Sequence, residues 1–394
     1  VKTGFRYFCA LVLGVFALGR MAHAAPDPVL VGFDGAYSLK NSTSAQAIEL
    51  GLKAAIHEIN AAGGVLGGRL IELVTKDNRS VPARGIANLE DFAAIPELVA
   101  VFAGRFSPVI LQQLEHTHKL KMPLLDVWGA ADGITDHDFD PSFTFRVSLK
   151  DSWAMPAMLE QAKNKNIRKI GVLLPNSGWG RSNDNALAVA LSRAPGIEVM
   201  DPIWYNWGEG DMLQYYQSLL DAGAEAVLLV AIDIEAALLV HQLSDALDVP
   251  RVPIISHWGV TGGDMIRASG PGLMKLDFSV VQTFSFFKAM PGPLATFQKT
   301  LGELTGSDDV VSLKSPVGVG QAYDMMHLLA MAINKANSTD RTAIRDALEN
   351  LDVYHGLVRT YEPAFTAQNH DALSPEQVFF TKYRADGVLV PISQ

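Results

Sequence analysis

Cysteine is almost missing from this chain of 394 residues: Cys9 is the only one. One thiol allows no disulfide framework within the chain and no cysteine-built metal site. Stability must therefore come from a packed core. Blocks of Lys and Arg are missing as well, and the formal net charge is −10. An acidic chain without basic clusters is a poor partner for nucleic acid. Beyond the first two dozen residues, no apolar run is long enough to span a bilayer. Short catalytic signatures are missing too. Gly63 to Arg69 has closely spaced glycines but no Lys-Ser/Thr pair, so it is not a phosphate loop. Neither G-x-S-x-G nor H-E-x-x-H occurs. His116 and His118 stand two apart on a predicted helix and face different directions, which makes a poor metal pair. Asp136-His-Asp-Phe-Asp140 reads as a solvated acidic loop. No enzyme activity, metal or cofactor is expected.

What is present starts at the N-terminus. Lys2 and Arg6 precede an apolar run from Tyr7 to Leu18, and Ala22-His23-Ala24 follows. A positive start, a short apolar core and an A-x-A end predict a secretory signal peptide over residues 1–24, cleaved after Ala24. An uncleaved anchor is the alternative. Cys9 lies inside the apolar run without a lipidation box, so a free periplasmic protein is expected rather than a lipoprotein. Removing the segment takes Cys9 and three basic residues with it, and the net charge moves to −13.

Downstream, short apolar runs alternate with helical patterns, the mark of parallel βα units. Val29 to Phe33, Leu70 to Thr75, Leu98 to Ala103 and Pro123 to Val127 read as strands. Gln46 to Ala62 reads as a helix, with Ile48, Leu52, Ala55 and Ile59 on one stripe. Ser42, Thr43 and Ser44 offer N-caps, and Gly63-Gly64 can take the left-handed conformation that ends it. After Val147 the pattern restarts and runs to Ser256. Leu276 to Phe284 is strand-like, Val317 to Lys335 and Thr342 to Asn350 are helical, and the tail predicts an antiparallel hairpin turning at Asp386-Gly387. Two domains of ordinary size are expected, with no linker between them.

Glu49 to Leu73 carries Ile59-Asn-Ala-Ala-Gly-Gly-Val-Leu-Gly67, and the loop Asp77-Asn-Arg-Ser-Val-Pro-Ala83 follows. Val101-Phe-Ala-Gly-Arg-Phe-Ser107 and Asn176-Ser-Gly-Trp-Gly180 stand further on. These segments resemble the periplasmic solute-binding proteins of branched-chain-amino-acid-type ABC transporters, and the likeness covers the mature chain. It implies an α/β, type I periplasmic binding protein fold: two Rossmann-like lobes with a three-crossover hinge and the ligand in the cleft. The crossovers are placed near Arg146, Phe278 and Arg359. The lobes would then be 28–146 plus 280–355, and 147–277 plus 360–394. The implied partners are a small, carboxylate-bearing ligand and the permease subunits.

In open parallel sheets the ligand crevice lies at the carboxyl ends of the strands. Those ends carry Tyr37, Ser38, Arg105, Phe106, Ser107, Trp128, Gly129, Ala130, Trp179, Asp233, His257 and Trp258. Ser107 and the helix start behind it could hold a carboxylate, or Ser107 is a plain N-cap. Arg105 is a bidentate carboxylate partner or a solvated loop charge. Trp128, Trp179 and Trp258 suit stacking on a ligand, or they pack the lobes together. Trp179 falls on the family's aromatic position. Two features depart from the amino-acid binders of this family. Asp126 to Ala131 lacks their Thr, and His257-Trp-Gly-Val260 stands where they present an acid for the ammonium. Asp233 could take over that role, or it caps the next helix. The expected activity is delivery of an amino acid or related carboxylate to a permease. A planar aromatic acid as ligand and a ligand sensor of the same fold are the competing readings.

Overall fold

The computed structural model describes residues 26–40, 42–194 and 196–392. The signal peptide expected over 1–24, and Cys9 with it, lies outside them. Five strands make the first sheet: β1 (Val29–Gly35), β2 (Ile71–Asp77), β3 (Leu98–Ala103), β4 (Leu124–Asp126) and β5 (Thr144–Arg146). They are parallel, in the order β2-β1-β3-β4-β5. A parallel sheet is covered on both faces, so its central strands must be apolar throughout. All six residues of β3 are buried accordingly.

Helices α1 (Ser44–Ala61), α2 (Pro82–Ala93) and α3 (Ser107–Lys119) connect these strands. The predicted stripe of α1 is buried along its length. Its end is as expected, with Gly63 and Gly64 at φ 106° and 75°. Its start is not. Thr43 stands at the N-cap without a side-chain capping bond, and its hydroxyl reaches Ser315 at 2.6 Å instead.

A second sheet holds β6 (Lys169–Pro175), β7 (Glu198–Val199), β8 (Ile203–Tyr205), β9 (Ala226–Leu229), β10 (Ile254–Ser256) and β11 (Phe278–Gln282). Helices α4 (Asp151–Asn164), α5 (Gly178–Leu191), α6 (Leu213–Asp221), α7 (Asp233–Asp245) and α8 (Met265–Ser269) surround it. The chain then returns to the first sheet. After α9 (Pro291–Thr305), helix α10 (Pro316–Ala336) packs along α1, and α11 (Arg341–Leu348) packs on α10. A small hairpin of β12 (Tyr354–His355) and β13 (Thr360–Tyr361) follows. The tail ends in the expected antiparallel hairpin, β14 (Phe379–Tyr383) and β15 (Leu389–Pro391), on the edge of β11.

The crossings differ in detail from expectation. The second leaves after Gln282 rather than near Phe278, because Phe278–Gln282 is fully buried between β10 and β14. Val280 to Gln282 therefore lie in the second sheet, not the first lobe. The third runs on beyond Arg359. The Asp324 carboxylate, inside α10, accepts from Leu357 N, Val358 N and Tyr361 Oη and holds that stretch to the first half.

The α1–α10 contact is close enough to demand glycine. A Cβ on Gly51 would run into the carbonyl oxygen of Val319. Gly51→Ala should therefore destabilise the protein by about 1–3 kcal/mol, the usual cost of overpacking, despite alanine's better helix propensity. Urea denaturation checks this, and a variant as stable as the parent would mean the helices separate freely.

Candidate functional site

A pocket with about 310 Å³ of empty space, its mouth included, lies between the two sheets. Each of its walls is a loop or helix start that follows the carboxyl end of a strand. From the first sheet come Arg105, Phe106, Ser107 and Pro108 after β3, and Trp128 and Ala130 after β4. From the second come Trp179 after β6, Trp207 after β8, Ile232 after β9, and Trp258 and Gly259 after β10.

Aromatic rings dominate the lining. Trp128 and Trp258 meet across the two halves with centroids 6.0 Å apart, and Phe106 meets Trp207 edge-on at 5.9 Å. Trp179 is held from behind. Its Nε1 donates to Asp151 Oδ1 at 3.2 Å, and the same oxygen lies 3.0 Å from His257 Nε2. Asp151 and His257 are fully buried, so this cluster fixes the indole rather than facing a ligand. His257, expected in the lining, is placed behind Trp179.

Arg105 is not a solvated loop charge. Its side chain is 2% exposed, and Nη2 donates to Asp233 Oδ1 of the other half at 2.7 Å. Nη1 reaches Gly259 O at 3.3 Å, and the guanidinium carbon lies 4.7 Å from the Phe106 ring centroid. The two residues expected to take opposite ends of a ligand are thus bonded to each other. Asp233 is the first residue of α7, with Ile232 at the N-cap, so it is not the cap that the sequence allowed. A carboxylate in a helix's first turn is favoured by the helix dipole.

Ser107 is not a plain N-cap either: Phe106 takes that position. Its Oγ accepts from Ala130 N and Ala131 N, at 3.1 and 3.2 Å, and so ties the β3 loop to the β4 loop. Asp126 supports the same loop, its Oδ1 accepting from Trp128 N and Gly129 N. Burial pushes the Asp126 carboxyl up to about 7, against the pull of Arg146 and those two N–H groups.

Besides Asp233 and His257, three expected residues do not line the pocket. Tyr37 Oη donates to Glu49 at 2.8 Å, and Ser38 Oγ donates to Asp77. Gly129 sits against Ile110 and Ile134, whose terminal methyls a Cβ there would displace. Pro108, Trp207, Ile232 and Gly259 line the pocket without having been expected there, and Trp207 is the largest of them. It follows a three-residue strand, flanked by Asn206 and Gly208. The strand-end rule would have named it had Ile203–Tyr205 been recognised as a strand.

A family model described as periplasmic binding protein matches residues 28–387. The Leu/Ile/Val-binding protein homolog 7 of Brucella abortus (strain 2308) is 25% identical over 373 residues, covering 88% of this chain and 87% of the relative. Among solved structures, the leucine binding protein LivK of Thermotoga maritima superposes with a TM-score of 0.78 at 17% identity, over 93% of this chain and 98% of the other. A solute binding protein of R. palustris in complex with benzoate gives 0.76 at 15%, over 93% and 95%. The type I fold implied by the resemblance is the fold of these structures.

Proposed function

The chain belongs to the periplasmic binding protein family, a family of binding proteins rather than enzymes, and on that premise we propose that it carries a small, flat solute to an ABC permease. The observation behind this reading is the pocket walled by Trp128, Trp179, Trp207 and Trp258. Indole faces add about 0.5–1.5 kcal/mol per aromatic pair beyond burial, so such a box favours a planar ligand over a branched aliphatic one. The benzoate complex of the R. palustris protein makes an aromatic carboxylate a reasonable first probe. A signal peptide over residues 1–24, as expected from the sequence, would fit delivery outside the cytoplasm.

In this reading the lobes are residues 28–146 with 283–361, and 147–282 with 373–392. They close over the solute, which binds the closed state better than the open one. Thermal shift with benzoate, related aromatic acids and leucine, isoleucine and valine tests it. A solute at a hundredfold over its dissociation constant should add about 2.7 kcal/mol of stability. Trp179→Ala should then weaken calorimetric affinity by about 1–2 kcal/mol. A broad screen that stabilises nothing would sink the carrier reading.

A further inference from the structure

The side-chain hydrogen-bonding capacity left in the lining is one-sided. Arg105 Nε, Trp128 Nε1 and Trp207 Nε1 are buried N–H groups with no partner among the described residues. Ser107 Oγ already accepts two backbone N–H groups. A hydroxyl has two lone pairs and one proton, so Ser107 has only its proton left to give. All four side chains line the pocket. Among the lining residues there is no carboxylate. Asp233 stands beside it but is held by Arg105 at 2.7 Å. Asp151 lies behind Trp179, and Glu235 turns away to accept from Gly208 N at 3.1 Å.

Lining side chains that can only donate suit a ligand rich in acceptors. They offer an ammonium group no free carboxylate, so its buried charge would lack a counter-charge. Resting on the carrier reading above, we propose that Arg105 determines specificity. By taking Asp233 Oδ1 for itself, it makes the pocket select a carboxylate without an amino group and reject the α-amino acid of the same skeleton. The guanidinium lies against Gly262, where a Cβ would collide with Nη1, so only glycine there leaves room for this arrangement.

Matched pairs test this: 3-phenylpropanoate against L-phenylalanine, and 4-methylpentanoate against L-leucine, by calorimetry on the mature protein. The acid without nitrogen should bind about a hundredfold or more tighter than its amino acid, since a buried unpaired charge is costly. Arg105→Met, which frees Asp233, should narrow that ratio at least tenfold, whereas Arg105→Lys should keep the preference. Equal or tighter binding of the amino acids would overturn the inference and leave the carrier reading standing. So would a ratio unchanged in Arg105→Met. If neither member of either pair binds at millimolar concentration, the inference also falls. The carrier reading then falls with it only if a broad solute screen fails as well. The wild-type ratio decides the question even if the Met variant does not fold.

Discussion

Asp371→Asn should cost the folded protein about 3–5 kcal/mol, the loss typical when one partner of a buried ion pair is removed. The Asp371 carboxylate accepts from Arg146 Nε at 2.7 Å, Lys150 Nζ at 2.9 Å and Thr135 Oγ1 at 2.8 Å. Arg146 is fully buried and also donates to Ala131 O. With an amide in place of the carboxylate, the guanidinium would keep its desolvation and lose the carboxylate it is bonded to. The ammonium of Lys150 would retain Asp136, at 2.7 Å, as its bonded carboxylate. The position matters because two crossings meet here. Arg146 ends β5, and its backbone pairs on both sides of Asp371 with His370 O and Ala372 N.

Acid titration offers a second reading of the same cluster. Burial alone would raise the Asp371 carboxyl, but Arg146 and Lys150 pull it down to about 2. A carboxylate with a depressed folded-state pKa stabilises above its unfolded value and loses that contribution as pH falls through the folded one. The stability gap between wild type and Asp371→Asn should therefore be full at pH 5 and shrink from about pH 4 towards pH 2. Urea titrations at several pH values check both claims. A gap under 1 kcal/mol at pH 7 would show that the cluster contributes little to the fold.

Arg105→Ala should weaken solute binding by about 2–5 kcal/mol, as for truncation of a buried charge partner at an interface. The guanidinium touches both halves of the molecule. It starts from the β3 loop and reaches Asp233 and Gly259 beyond the cleft. Without it, the closed form holds the Asp233 carboxylate buried and unpaired, and opening rehydrates that group. The variant should then stay extended in solution scattering at solute concentrations that compact the parent. Equal compaction and equal affinity would mean that the aromatic contacts alone carry closure.

Much of this architecture is legible in the sequence because parallel βα units write strong periods. The α1 stripe and the apolar run of β3 are visible without coordinates, and the hairpin turn at Asp386-Gly387 follows from turn chemistry. Helix α9 is not. Pro291, Gly292 and Pro293 open it and obscure its start in the sequence, although proline is tolerated in a first turn where its N–H would go unused. The site divides in the same way. Looking at strand ends points to Arg105, Ser107 and three of the tryptophans. It points equally to Tyr37 and Ser38, which turn to Glu49 and Asp77. Nothing local marks the bond between Arg105 and Asp233, 128 residues apart. Their pairing is decided by how the two sheets meet.

Four of the six tryptophans in the chain line one small cavity, while Trp153 and Trp204 lie outside it. Indole emission depends on the polarity and water around the ring. Most of the indoles of this molecule therefore sit at the place a solute would occupy. Filling the cavity changes what those rings see, and no dye or tag is needed to follow it. The same crowding that makes the walls flat gives the protein a built-in optical signal of occupancy.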